Sequence, residues 1–262
     1  MKPKALILQA HGTNRDLDIS EALNLAGADP QGTPLNDLRA HKANWQAFQM
    51  LVIPGGFSYA DALGAGKLLA LDLQSYFAEE IEAFVTSGKP VIGICNGFQA
   101  LVKSGILPGD IGTDGTSPKQ STLTYNENGH FECRWVSLQP LSQKCVWTRG
   151  LDELITCPVA HGEGNFQTTS DTLLATFAEH DQIALTYVRQ DGTPANGSYP
   201  HNPNGSALDI AGICNRVGNV LGLMPHPENH IHTYQHPQWT RGFSGKSGLA
   251  LFEKGALFAS QI

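Results

Sequence analysis

Residues 4–9 (KALILQ) are almost wholly apolar over the length of one buried strand, and apolar positions recur at helical spacing over 17–26. A second apolar run at 49–53 stops at Pro54-Gly55-Gly56. From 61 to 87 the spacing predicts helix in two pieces, with Leu63, Leu68, Phe77, Ile81 and Phe84 facing inward. Residues 90–94 predict a third strand, and a helix over 97–103 follows almost without a connection. Strands alternating with helices imply a mostly parallel sheet covered on both faces, and such sheets bind ligands at the carboxyl ends of their strands.

After Pro108 the texture changes: Gly, Asn, Ser and Thr become frequent, and short alternating segments occur at 121–125, 131–138, 154–159 and 183–188. These predict antiparallel strands rather than further βαβ units. Residues 191–206 (DGTPANGSYPHNPNGS) carry turn chemistry throughout and predict an ordered loop, followed by a strand at 220–224 and a closing helix over 247–259. With no internal repeat and no low-complexity linker, residues 1–262 read as one domain. The fold class is α/β: a mostly parallel central sheet flanked by helices, with added antiparallel strands in the second half.

Composition removes several classes of function. The 17 Lys and Arg against 24 Asp and Glu give a net charge of −7, which is no nucleic-acid footprint. No apolar run has membrane-spanning length. The start, Met1-Lys2-Pro3-Lys4, leads into an apolar stretch interrupted by Gln9 and His11, so it lacks the core of a secretory signal and points to the cytoplasm. The five cysteines are scattered and form no CxxC pair, as expected of free thiols in a reducing compartment.

Three motifs carry candidate chemistry. Gly93-Ile94-Cys95-Asn96-Gly97, between a strand and a helix, has the G-x-C-x-G form of a nucleophile elbow. Cys95 would sit at a helix N-terminus, where unpaired amides favour thiolate, and the N–H of Asn96 could hold an oxyanion. In Met224-Pro225-His226-Pro227-Glu228 the flanking prolines argue against a helix, and residues two apart in an extended segment share a side, so Glu228 can reach the His226 ring. A carboxylate on one ring nitrogen leaves the other to exchange protons with a thiol. Gly55-Gly56-Phe57 frees the backbone to aim an N–H at a ligand. Taken singly, these are a buried cysteine in a turn, a histidine in a proline-rich turn and a strand-ending turn; together they form a Cys…His…Glu set at strand ends.

The set resembles the triad (class I) glutamine amidotransferases, whose architecture is flavodoxin-like. More narrowly, GGFSYAD at 55–61, GICNGFQ at 93–99, VAHGEGNF at 159–166, NPNGS at 202–206 and GLMPHPE at 222–228 are similar to the glutaminase branch of phosphoribosylformylglycinamidine synthase. The resemblance spans nearly the whole chain. It implies that Cys95 attacks glutamine, that His226 moves protons and Glu228 orients it, and that N–H groups of Gly56 or Phe57 and of Asn96 form the oxyanion hole. Gln99 and the loop around Phe57 would line the glutamine pocket. Ammonia would pass to an ATP- and Mg2+-using synthase subunit that aminates formylglycinamide ribonucleotide, with room for a small accessory subunit; the chain itself would need no cofactor and no metal.

Two positions depart from the branch: Ala60 stands where Gly is usual, and Asn229 where Arg is usual. His226, His230, His232 and His236 crowd eleven residues, but Pro227 and Pro237 break any helical ligand face, so a zinc site is not expected. His161-Gly162-Glu163-Gly164 reads as a tight turn near the glutamine site or the synthase interface, without a catalytic role of its own. The alternatives are a triad amidotransferase or γ-glutamyl hydrolase serving another acceptor, and an inactive scaffold subunit.

Overall fold

The computed structural model describes residues 2–41, 43–109 and 120–262. The first half runs β1 (Lys4–Gln9), α1 (Asp16–Leu25), β2 (Asp29–Pro34), α2 (Leu35–Arg39), β3 (Met50–Ile53), α3 (Lys67–Tyr76), α4 (Ala78–Thr86), β4 (Val91–Ile94) and α5 (Asn96–Ser104). The second contributes β5 (Ser121–Thr124), β6 (Glu132–Pro140), β7 (Ile155–His161), β8 (Asn165–Thr168), α6 (Asp171–Glu179), β9 (Ile183–Val188), β10 (Ile210–Cys214), β11 (Val220–Leu223) and α7 (Leu249–Ala259).

Among the described residues, nine strands form one sheet in the order β2-β1-β3-β4-β11-β10-β9-β6-β7, with β5 and β8 as a separate hairpin-like pair. The pairs from β2 to β11 are parallel and those from β11 to β7 antiparallel. The parallel part therefore has the flavodoxin-like order, and the antiparallel strands extend the same sheet. Strands β1, β3, β4 and β11 are buried along nearly all of their length, as continuous apolar runs in a doubly covered sheet should be.

Some elements follow other rules than periodicity. β2 (DPQGTP) contains two prolines and a glycine; it exists because it is an edge strand that pairs only with β1, where missing donors and small residues are tolerated. α6 was legible in principle, since Ser170 accepts a capping bond from Leu173 N at 3.3 Å. Leu63, expected to face inward, is 82% exposed, because it lies in the loop between a 3-10 turn at Ser58–Asp61 and α3, which starts only at Lys67. In α3 the burial falls on Leu69 and Leu73, with Leu68 only partly covered, while Phe77, Ile81 and Phe84 are buried as expected.

The antiparallel half curls back so that the outer edge of β7 meets the ends of the parallel strands. Carbonyls of alternate β7 residues point to that edge. Thr156 O meets His230 Nδ1, Pro158 O accepts from His226 N at 2.8 Å, and Ala160 O accepts from Cys95 Sγ at 3.7 Å. An edge that would otherwise offer unpaired carbonyls is thereby satisfied by the segments that follow β4 and β11.

Helix α5 presses directly on β3. A Cβ at Gly97 would lie 2.0 Å from Ile53 O and 3.2 Å from Ile53 Cβ. Gly97→Ala is expected to cost about 1–3 kcal/mol and to lower the melting temperature, because backbone would have to move on both elements. Thermal unfolding measures it.

Candidate active site

Cys95 lies at the junction of β4 and α5 with φ 50° and ψ −105°, an unfavourable backbone conformation for a residue with a side chain. Its N–H donates to Leu223 O at 2.8 Å and its carbonyl accepts from Gln99 N at 3.0 Å, so β11 and the first turn of α5 hold the bend from both sides. The consequence is a thiol displayed at the carboxyl ends of the parallel strands and next to the edge of β7.

His226 follows β11 and is buried, as is Glu228; His226 Nδ1 and Glu228 Oε1 are 2.7 Å apart. The pairing agrees with the sequence expectation, but its geometry does not come from an extended segment. Pro227–Asn229 form one 3-10 turn with proline at its start, where its missing N–H costs nothing. Burial works most strongly against an imidazolium here, yet the Glu228 carboxylate and then the Cys95 sulfur outweigh it. The His226 pKa is pushed up to about 10. Cys157, beneath the pair, has its thiol pushed well above the ordinary value by burial and then by Glu228, which keeps it protonated.

Cys95 opens on a cavity of about 280 Å³ lined also by Gly56, Phe57, Gln99, Ala160, His161 and Glu163. A larger cavity, about 480 Å³, contains Trp135 and His236 but none of the motif residues. At the first cavity, the Asn96 side chain anchors the neighbouring loop: Oδ1 accepts from Ser58 N at 3.2 Å and from Ser58 Oγ, while Nδ2 donates to Asp61 Oδ1 at 2.9 Å. Gln99 accepts from Asn96 Nδ2 at 3.1 Å and donates to Glu163 O at 2.7 Å, so its amide ties α5 to the turn after β7. Phe57 N donates to Gly12 O at 3.1 Å. Of the amides expected to face an oxyanion, those of Gly56 and Asn96 are the two without a partner among the described residues.

Sequence reasoning missed what holds this loop. Tyr59, Ala60, Asp61 and Leu63 all have positive φ. Ala60, the departure from Gly, adopts φ 54°, where a side chain costs about 1–2 kcal/mol. Glu163 binds the loop's far end, its two carboxylate oxygens lying 3.2 and 3.3 Å from Ala65 N, and Lys103 Nζ is 3.3 Å from Oε2. Asn229, the other departure, donates to Asp18 Oδ2 at 3.3 Å and so links the turn after His226 to α1.

The remaining histidines are used in packing. His230 and His236 sit edge-on to Trp135, His236 also stacks on Phe243, and His232 Nε2 lies 2.7 Å from Glu21 Oε1. Among the described residues no three His, Cys, Asp or Glu side chains are grouped to hold a metal ion, and no helix is long and apolar enough to cross a membrane.

A strained cysteine, a buried His–carboxylate pair beside it and two amides without a partner among the described residues, one on Gly56 at the cavity wall and one on Asn96 next to Cys95, can perform thiol acyl transfer. Over residues 2–259 the sequence matches the family described as the CobB/CobQ-like glutamine amidotransferase domain. The chain belongs to this glutamine amidotransferase family. A phosphoribosylformylglycinamidine synthase subunit PurQ of Treponema denticola is 58% identical over 241 residues, covering 88% of this chain and 89% of that protein. Another, of Dehalococcoides mccartyi, is 42% identical over 265 aligned residues, covering 100% of this chain and 99% of the relative. A chain in the solved structure of PurLQS from Thermotoga maritima matches with a TM-score of 0.75 at 30% identity, covering 98% of this chain and 99% of its own.

In this glutamine amidotransferase the two buried histidines of the site give stability opposite pH dependences. The raised pKa of His226 means that its contribution is complete below the unfolded value near 6.5 and is lost as pH climbs towards about 10. His161 is pushed down to about 3, by burial and then by repulsion from His226. Below about 6.5 the unfolded chain therefore binds a proton that the folded chain refuses, and stability falls with falling pH. Denaturant unfolding across pH is expected to show a maximum near 6.5 from these two groups, with the alkaline limb flattened in His226→Asn.

Proposed function

We propose that the chain is the glutaminase subunit of a phosphoribosylformylglycinamidine synthase, acting in purine biosynthesis. The observation that carries this reading is the Cys95–His226–Glu228 arrangement beside a cavity, in a chain 58% identical to a PurQ subunit. The catalytic residues are Cys95, His226 and Glu228, with Gly56, Phe57, Asn96 and Gln99 around the bound glutamine.

Cys95 Sγ attacks the side-chain amide carbon of glutamine while the carbonyl oxygen, becoming negative, takes the N–H groups of Gly56 and Asn96. His226, charged and held by Glu228, gives its proton to the departing nitrogen, and ammonia leaves as the glutamyl thioester forms. The neutral imidazole then removes a proton from water, which attacks the thioester; glutamate departs as the Cys95 sulfur is expelled as thiolate, and the imidazolium that began the cycle is restored. Gln99 holds the turn after β7 against α5 with one hydrogen bond at each end of its amide while lining the cavity.

The ammonia passes to a synthase subunit that uses ATP and Mg2+ to convert formylglycinamide ribonucleotide to formylglycinamidine ribonucleotide, with a small accessory subunit completing the complex. The chain needs no cofactor of its own. Residues 1–262 act as one cytoplasmic glutamine amidotransferase domain, a reading supported by a sheet that draws strands from both halves.

The loop that carries Phe57 is strained at Tyr59, Ala60, Asp61 and Leu63, and it exposes Phe57 at the cavity and Leu63 further along. Closing it on glutamine is work for the synthase. The isolated chain is expected to hydrolyse glutamine slowly, with synthase and its substrates raising the rate at least about tenfold. Release of glutamate, followed with and without the synthase, tests this. Restoration of growth in a purine auxotroph lacking the glutaminase subunit tests the pathway, and failure to restore it despite expression would point to another acceptor.

A further inference from the structure

His161 has no part in the triad, yet it lines the cavity that Cys95 faces, and its Nε2 is buried without a hydrogen-bond partner among the described residues. Its tautomer is determined by Asn126. That side chain's Nδ2 donates to His130 O and to His161 O, both at 2.8 Å, which leaves Oδ1 as acceptor for Gly164 N at 3.0 Å and for His161 Nδ1 at 3.1 Å. An acceptor on Asn126 requires Nδ1 of His161 to carry the proton, so Nε2 holds a bare lone pair. Gly164 lies against the ring: a Cβ there would be 2.4 Å from His161 Cε1 and 2.8 Å from Nε2, so only glycine leaves the ring this place. Burial and the charge on His226 keep His161 neutral.

We propose that His161 Nε2 is the acceptor that reads the carboxamide of glutamine, holding one of its N–H groups beside Cys95 and favouring an amide over a carboxylate. The inference rests on the glutaminase reading above and deepens it.

A carboxamide presents one acceptor and two donors. With its oxygen in the oxyanion hole, its NH2 needs acceptors, and β7 supplies two at successive residues: Ala160 O, which lies against Cys95 Sγ, and His161 Nε2. Held by both hydrogens, the nitrogen turns the lone pair that develops in the tetrahedral intermediate towards the His226 proton. The product glutamate offers neither hydrogen, and its negative oxygens would face two acceptors, so the same pair favours release. An unpaired buried acceptor is costly to the protein, and a bound amide removes that cost.

The test compares glutamine with glutamate γ-methyl ester, which has the same acyl group but no N–H at the leaving atom, using the full chain with its synthase. His161→Asn keeps a polar atom near the Nδ1 position and lacks one at Nε2; His161→Gln does the reverse. His161→Asn is expected to lower kcat/KM for glutamine about ten- to thirtyfold while the ester changes less than about twofold, and His161→Gln to keep most of the preference for glutamine. An equal loss on both substrates, or no loss on glutamine, overturns the proposal.

If the variants do not fold, the 15N signal of His161 Nε2 in Cys95→Ala chain decides. It is expected to be that of an unprotonated nitrogen and to move upfield on adding glutamine; an unmoved signal under saturating glutamine overturns the proposal. Wild-type complex inactive on both substrates would remove the glutaminase reading itself, a result distinct from either.

Discussion

Cys95→Ala is expected to lower glutamine-dependent synthesis by the complex about 10⁴-fold or more, while the same complex given ammonium salt keeps its activity. The reason is local. The substitution removes the one sulfur at the strained bend between β4 and α5 and leaves the bend, held by Leu223 O and Gln99 N, in place. No other cysteine can substitute. Cys145, Cys157 and Cys214 are buried, Cys157 is held as a thiol beside Glu228, and Cys133 does not line the cavity. Parallel assays with glutamine and with ammonium salt measure the effect. Equal loss in both would mean that the complex, rather than the nucleophile, has been damaged, and full glutamine-dependent synthesis would revive the scaffold alternative.

Glu228→Gln is expected to reduce glutaminase kcat by about 10²–10⁴-fold with little change in KM. Glutamine keeps the volume of this fully buried side chain but not its charge. The imidazolium then loses the carboxylate that offsets the penalty of burial, and its pKa falls from its raised value. The introduced amide also meets a second difficulty. Glu228 Oε2 has no partner among the described residues, so an NH2 placed there would be a buried, unsatisfied donor, and the opposite rotation would aim it at His226 Nδ1 and force the wrong tautomer. The pH–rate profile separates the two causes: loss of charge moves the alkaline limb to lower pH, whereas a wrong tautomer lowers the whole profile. A kcat within a few-fold of wild type would show that orientation of His226 by Glu228 is dispensable.

How far the sequence could be read depended on the kind of interaction involved. β1, β9 and the elbow around Cys95 were legible because a continuous apolar run, an alternating segment and a glycine-spaced bend are local signals. β2 was not, because its prolines and glycine are acceptable only on an edge, and being an edge is a property of the finished sheet. The pairing of His226 with Glu228 was foreseen from their spacing, although a 3-10 turn and not an extended strand brings them together. Phe57 was foreseen at the cavity, but contact with Gly12, distant in sequence, takes its N–H out of use. The turn at 161–164 shows the same limit most sharply. Nothing within HGEG tells that Glu163 grips the loop at Ala65, or that Asn126 decides which nitrogen of His161 is bare.

As the proposed nucleophile, Cys95 should react covalently with an electrophile shaped like glutamine. Exposure of the chain with its synthase to a diazoketone analogue of glutamine, followed by intact-mass and peptide mapping, tests it without requiring turnover. A single adduct is expected on Cys95, suppressed by excess glutamine and absent from Cys95→Ala. No adduct in the assembled complex, or one spread over the other cysteines and indifferent to glutamine, would contradict it.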